Sequence, residues 1–274
     1  MLFFYVIYLL HNDSSFGNMS LFNDALKEIK IKNLSIFIII VYLVLFVLSN
    51  YAGIGSIKWI YLIIICYFIF KLKNSLKWIK NDIIGIFDKI QLKYVLLIVF
   101  LNIFFSYGML YFSNALINNF PFLDFLISFS IPSMSISGYV PIIGGLVSTI
   151  VISPISEELI FRGVFLNRLK PFVPTVFAVL ISSLLFASLH SFGSIISAFV
   201  FAVCMAILYI KTENIFVPII AHFLNNLFAE IIRIADFNQL LFSNNLVIAV
   251  MSILAVVSAV ILLISIIGEL NKIK

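Results

Sequence analysis

The chain has 274 residues, of which 63% are hydrophobic and only 11% are charged, and its mean hydropathy is +1.20. Soluble domains are about 45–50% apolar and about 25% charged, so this composition excludes them and predicts an all-α, polytopic transmembrane helix bundle. The formal net charge of +5 comes from basic residues at the ends of apolar runs. Because no basic stretch is interleaved with stacking aromatics, we expect no nucleic-acid partner.

The first residues leave two starts open. The stretch "MLFFYVIYLL" lacks the basic n-region and the small-residue cleavage site of a signal peptide. Met1 is one start. Met19 is the other, because "MSLFNDALKEIKIKN" has the pattern of an amphipathic cytoplasmic segment that leads into the first span.

Eight apolar runs are long enough, or nearly so, to cross ~30 Å of hydrocarbon. They lie at about 34–49, 55–72, 94–112, 139–161, 174–191, 193–210, 215–232 and 244–267. We divide the chain into an N-terminal segment, 1–93, with two spans and a basic loop, and a six-helix membrane core, 94–274. The segment 121–131 carries Asp124 and is too short to cross, which predicts an interfacial or re-entrant piece.

The basic residues predict the orientation. With both termini in the cytoplasm, Lys58 and Arg233 are the only basic residues on the outer side, and Arg162 lies within a span. The residues on the inner side are Lys27, Lys30, Lys32, Lys71, Lys73, Lys77, Lys80, Lys89, Lys93, Arg168, Lys170, Lys211, Lys272 and Lys274. The stretch 73–93 has charged and apolar residues at helical spacing and is expected to lie along the inner membrane surface. High Ile, Asn and Lys usage favours a bacterial source, and hence a multi-pass protein of the cytoplasmic membrane.

The stretch "PISEELIFRG" places Glu157, Glu158 and Arg162 inside an apolar span. An ionised group at the centre of a bilayer costs at least a few kcal/mol, so such residues usually face a protein cavity. Glu158 and Arg162 are four residues apart, which predicts an ion pair with a structural or a substrate-orienting role. Glu157 points about 100° away from Glu158 and needs a partner from elsewhere. Ser153 and Pro154 are typical of a helix start or a kink, which would place Glu157 in a first turn, where the helix dipole favours a carboxylate.

Three further polar residues lie in apolar spans: His190, His222 and Asn226. A single histidine in a membrane helix is more often a packing residue than a catalyst. Counted from the inner turns at about 1.5 Å per residue, Glu157, His190 and Asn226 lie at about 20–24 Å, and His222 one turn lower at about 16 Å. Four polar groups on three helices at similar depth predict a functional site.

Three motifs within residues 139–230 now suggest a family. "EELIFR", "FASLH" and "HFLNN" match the patterns EExxxR, FxxxH and HxxxN in order. The sequence therefore resembles the CPBP intramembrane proteases, the group that includes type II CAAX prenyl endopeptidases and bacteriocin-processing or self-immunity (Abi) proteins. The resemblance implies that Glu157 and His190 activate a water molecule and that His222 and Asn226 bind the oxyanion. Glu158 and Arg162 would support them.

The residue chemistry agrees with this interpretation. A carboxylate in a low-dielectric cavity can act as general base, and donors on a histidine and an asparagine can stabilise the negative charge on a scissile carbonyl. No cofactor is required on this interpretation. A metalloprotease version remains open, with zinc bound by Glu157, His190 and His222, although the HExxH helix of zinc proteases is absent.

The predicted function is hydrolysis of a peptide bond in a membrane-associated or prenylated peptide or protein substrate. A serine protease is disfavoured because no GxS motif on a span faces a histidine, and a paired-aspartate protease because no aspartate lies in a predicted span. The alternative is a non-catalytic bacteriocin immunity or membrane scaffold protein that uses the same polar cluster for binding. A small proton-coupled transporter is less favoured, since the polar groups fall only in the second half of the chain.

Overall fold

The computed structural model describes residues 21–52, 59–87, 91–120, 143–236 and 238–273. Every regular element in these ranges is helical, and they contain no strand. The all-α prediction is therefore confirmed for this part of the chain. Both candidate starts and the segment 121–131 lie outside the described residues.

Eleven helices follow one another in the described ranges. They are α1 (Leu21–Glu28), α2 (Ile31–Ala52), α3 (Ile60–Lys71), α4 (Ile79–Phe87), α5 (Gln91–Asn119), α6 (143–169), α7 (Thr175–Ala187), α8 (Ile195–Thr212), α9 (Phe216–Ala235), α10 (Leu240–Ser243) and α11 (Asn245–Leu270). Short 3₁₀ turns at Leu76–Trp78 and Phe192–Ser194 precede α4 and α8. The basic stretch 73–93 thus contains the helix α4, as its spacing predicts.

Five of these helices are long and apolar enough to cross a membrane: α2, α5, α8, α9 and α11. Two shorter apolar helices, α3 and α7, have 12 and 13 residues. The helix α6 coincides with a further predicted span. A multi-pass membrane protein is therefore confirmed, whereas the count of eight spans and the side of the termini stay predictions.

Helix α6 alternates between α-helical and π-helical geometry. Ser148–Ile152 and Leu159–Leu166 are π-helical, and Ser153–Glu158 between them is α-helical. The α-helical segment does begin at Ser153, but it continues a π-helical turn, and Ile152 before it keeps helical dihedral angles of −70° and −46°. No free helix N-terminus therefore lies beside Glu157, and the predicted stabilisation by a first-turn dipole is wrong. π-helical turns often occur at functional sites.

Helix α8 lies at the centre of the bundle. In the most apolar part of the span that contains α8, 67% of the residues are buried, compared with 11% in the corresponding part of α2 and 17% in that of α11. Ala202 and Val203 of α8 pack into an apolar cluster with α1, α6 and α7, while Phe201 and Met205 pack into a second one with α5, α9 and α11. The exposed sides of α2 and α11 are themselves rich in Ile, Leu and Val, as expected for helices that face lipid.

Five segments that were predicted to lie on the inner side meet at one end of the bundle. The side chain of Asn23 in α1 accepts a hydrogen bond from the backbone of Ile215 (3.2 Å). Asn214 donates to the carbonyl of Asp82 in α4 (2.9 Å). Arg168 after α6 donates to the carbonyl of Ile29, and Lys211 pairs with Glu269 near the end of α11. The N-terminal helices and the core are therefore joined at this end.

Candidate active site

The ion pair predicted within α6 is present. Nη1 of Arg162 lies 2.9 Å from Oε1 of Glu158, and the two side chains are only 1% and 0% exposed. Nη2 of Arg162 donates to the carbonyl of Ala202 in α8 (3.0 Å), and the guanidinium lies 4.7 Å from the centre of the Phe186 ring in α7. Arg162 thus connects three helices, and the buried charges compensate each other.

The same oxygen of Glu158 also binds His222 in α9. Nδ1 of His222 lies 2.8 Å from Oε1 of Glu158. Because the carboxylate paired with Arg162 accepts at this oxygen, Nδ1 carries the proton. Nε2 then faces Oε2 of Glu157 at 3.8 Å. This distance exceeds a hydrogen bond, so both atoms remain available to a third group such as a water molecule.

Glu157 has partners on α6 and α3. The hydroxyl of Ser153, one turn earlier, donates to Oε1 of Glu157 (2.5 Å). The side chain of Tyr61 in α3 lies within hydrogen-bonding and electrostatic range of Glu157 and Ser153, and Ser156 donates to the backbone carbonyl of Tyr61 (2.9 Å). Helix α3 is therefore fixed against the carboxylate. With Oε1 engaged by Ser153, Oε2 is the oxygen directed toward His222.

His190 lies between α7 and α8, because α7 ends at Ala187, short of the predicted end of this span. Its Nδ1 faces the carbonyl of Phe186 at 3.1 Å. A carbonyl only accepts, so Nδ1 donates and Nε2 of the neutral ring has a free lone pair. The imidazole is within electrostatic range of Glu157 and His222. His190 thus belongs to the same group of side chains.

Asn226 lies one turn beyond His222 on α9. Its Nδ2 donates to the carbonyl of Thr149 in α6 (2.9 Å). The depth count placed Asn226 level with Glu157 and His222 one turn lower, but it is His222 that contacts Glu157 and Glu158, so this count is wrong by a turn. It counted from Lys211 as if this turn lay at the inner surface, whereas Ile215, just before α9, is 0% exposed.

Several residues at the site were missed by the sequence interpretation. Tyr61 was missed because it lies 92 positions before Ser153, in a helix that carries no motif. Ser153 was considered only as part of a helix start or a kink. Asn225 precedes Asn226, and Asn102 interrupts the apolar helix α5. Only Asn102 carried a usable signal, because a polar amide in a membrane span needs a partner.

The predicted zinc ligands do not form a metal site in this conformation. Among the described residues, no three His, Cys, Asp or Glu side chains are close enough to hold a metal ion together. Glu157, His190 and His222 are therefore considered below for what their own atoms can do.

Comparisons with known proteins find similarity to membrane peptidases over part of the chain. Residues 139–228 match the family described as "Type II CAAX prenyl endopeptidase Rce1-like". The chain is also similar to "Putative membrane peptidase YdiL" of Bacillus subtilis (strain 168), with 34% identity over 85 residues. These residues are 31% of this chain and 35% of that protein, so the chain spans about a third of the length of this relative. The search of solved structures found no match.

The described residues form a multi-pass helical membrane protein with a buried Glu-Arg-His cluster. Over residues 139–228 the chain is similar to the Rce1-like family of type II CAAX prenyl endopeptidases. The resemblance predicted from the three motifs is thereby confirmed.

Proposed function

We propose that the protein is an intramembrane endopeptidase that hydrolyses a peptide bond in a membrane-associated peptide or protein. The observation that carries this proposal is the approach of Oε2 of Glu157 to Nε2 of His222, at 3.8 Å, in a buried setting. Neither atom is joined to the other by a hydrogen bond, and both face the same space. A water molecule and a scissile carbonyl would meet a base and a donor there.

Glu157 and His190 activate the water molecule. Oε2 of Glu157 and Nε2 of His190 each accept a hydrogen bond from it, and Glu157 takes up one proton as the water oxygen attacks the carbonyl carbon. The carbonyl π electrons move to the oxygen, which becomes the oxyanion. When the tetrahedral intermediate collapses, the C–N bond breaks and the proton on Glu157 passes to the leaving amine.

His222 and Asn226 stabilise the oxyanion. Since Nδ1 of His222 already donates to Glu158, Nε2 donates only when the ring is the imidazolium ion. The carboxylates of Glu158 and Glu157 lie 2.8 and 3.8 Å from the two ring nitrogens of His222. Asn226 adds an uncharged donor through the N–H that is not bonded to Thr149. Removing one donor of this kind typically lowers kcat by about 10² to 10³.

We propose that the reaction is metal-independent. The Glu-His-His-Asn set contains a base, a second water acceptor and two donors, which is sufficient for hydrolysis of an amide. A zinc version would use Glu157, His190 and His222 as ligands and would need these side chains to move together. Sensitivity to a chelator distinguishes the two.

For the topology, we propose eight spans in a bacterial cytoplasmic membrane with both termini in the cytoplasm. The contacts that join α1, α4, α8 and α11 at one end support a common side for the two termini. The basic residues at this end favour the cytoplasm. The site would then lie within the bilayer and act on substrates that reach it from the lipid phase.

Co-expression with a library of membrane-tethered peptides tests the function. The wild-type protein is expected to produce cleaved peptides, identified by mass spectrometry, which the variant His190→Ala does not produce. A matched control is Ser188→Ala, two residues away, whose exposed hydroxyl donates to the nearby carbonyl of Leu185. Resistance to a bacteriocin without any peptide cleavage would instead favour the non-catalytic immunity or scaffold function.

A further inference from the structure

A chain of asparagine side chains leads from α5 to Asn226. Nδ2 of Asn102 donates to Oδ1 of Asn225 (2.9 Å), and Nδ2 of Asn225 donates to Oδ1 of Asn226 (3.3 Å). Asn102 is 4% exposed and lies outside the family-matched region, in an otherwise apolar span. An amide buried in such a span costs free energy unless it is hydrogen-bonded, so its position calls for a reason.

The other end of the Asn226 amide is held by the backbone of α6. In the π-helical segment the N–H of Ser153 bonds to the carbonyl of Ser148, five residues earlier. In this register the next N–H would belong to residue 154 and would bond to the carbonyl of Thr149. Pro154 has no N–H. The carbonyl of Thr149 therefore lacks this helical donor and accepts the amide of Asn226 instead (2.9 Å).

These contacts select one orientation of the Asn226 amide. Its oxygen accepts from Asn225 and one N–H donates to Thr149, which leaves the second N–H for a ligand. A flip by 180° would set two N–H groups of Asn225 and Asn226 against each other and two oxygens of Asn226 and Thr149 against each other. Both hydrogen bonds would be lost, so the flipped state is disfavoured.

We propose that Asn102, acting through Asn225, is a positioning residue that fixes the amide of Asn226 with its second N–H toward the oxyanion. This inference rests on the proposed function, in which Asn226 is an oxyanion donor. It assigns a role in the reaction to α5, a helix outside the three motifs.

A spectroscopic test reports on the amide without requiring activity. The side-chain NH₂ signals of Asn226 are identified in ¹⁵N-asparagine-labelled protein in detergent by their loss in Asn226→Ala. We expect Asn102→Leu, which keeps the volume and removes the donor, to shift these signals. The matched control is Ser113→Ala, also buried in α5, whose hydroxyl donates to the carbonyl of Leu110 one turn earlier. Asn226 signals that are the same in Asn102→Leu and wild type would overturn the inference.

Kinetics with a membrane-tethered peptide that the protein cleaves give the second readout. We expect Asn102→Leu to lower kcat about tenfold with KM unchanged, a size typical of coupling within one hydrogen-bond network. In the Asn226→Ala background the same substitution should have no further effect on kcat. Losses that multiply would mean that Asn102 acts independently of Asn226 and would overturn the inference. If the proposed function itself fails, cleavage survives in Asn226→Ala and in Glu157→Gln, whereas the spectroscopic result still decides whether Asn102 fixes the amide.

Discussion

Nδ1 of His222 and Oε1 of Glu158 are 2.8 Å apart although the two residues are 64 positions apart in the chain. The same oxygen accepts from Arg162. Glu158 therefore does more than neutralise a buried arginine, because it also sets which nitrogen of His222 faces Glu157. In the proposed function the two adjacent carboxylates have different roles, since Glu158 orients His222 and Glu157 acts as the base.

The first prediction concerns the buried ion pair. Arg162→Ala leaves Glu158 with a buried charge and only His222 beside it, and loss of one partner of such a pair typically costs about 3 to 5 kcal/mol. We expect a lower yield in detergent and a lower midpoint in thermal unfolding. Lys272→Ala is the control, since this lysine is exposed where it pairs with Glu269 and should contribute about 0–1 kcal/mol.

The double variant Glu158→Leu, Arg162→Ala separates stability from activity. Removing both charges should recover part of the stability, because no buried charge of the pair remains unpaired. Cleavage should not recover, because His222 loses the acceptor of its Nδ1 proton. A single Arg162→Ala variant as stable as wild type would contradict the buried pair.

The second prediction concerns Asn226. Asn226→Ala should keep the fold and reduce kcat by about 10² to 10³, the usual effect of deleting one oxyanion donor. KM should change little, because the donor acts on charge that develops in the transition state. Asn119→Ala serves as control, since Asn119 is exposed and donates to the carbonyl of Ala115 in its own helix. A kcat within threefold of wild type would remove Asn226 from the oxyanion site.

The third prediction addresses metal. We expect prolonged treatment with a zinc chelator to leave peptide cleavage unchanged, because the proposed base and donors are side chains. A metal site would lose activity and regain it when zinc is added back. Cleavage that is lost with the chelator and restored by zinc would overturn the metal-independent mechanism and favour the ligand set Glu157, His190 and His222.

The fourth prediction is topological. Reporter proteins fused after Lys93 and after Lys170 should be active in a format that works in the cytoplasm and inactive in one that needs export. The reason is the excess of basic residues on this side. An exported signal at either position would contradict the proposed orientation.

The sequence predicted the helices better than the contacts between them. The apolar runs predict helices, and the four-residue spacing of Glu158 and Arg162 predicts an ion pair. Both predictions depend only on residues close together in the chain, and the structure contains the helices and the ion pair. Contacts between distant helices, such as Glu158 with His222 or Asn102 with Asn225, depend on how the helices rotate and where they begin. The π-helical turns of α6 change the direction of side chains by shifting the register, and no simple sequence pattern indicates them. For this reason Ser153 was interpreted as a helix start, although its hydroxyl bonds Glu157.

The central claim is that Glu157 is the general base of a peptidase, and Glu157→Gln tests it most directly. Glutamine keeps the shape and an oxygen that can accept from Ser153, but it cannot take up a proton. Glu230→Gln is the matched control, since Glu230 lies on α9 and pairs with Arg233. Cleavage of a membrane-tethered peptide should be lost in Glu157→Gln, with unchanged thermal stability and peptide binding, and kept in Glu230→Gln. A Glu157→Gln protein that still cleaves the peptide at the wild-type rate would contradict the account.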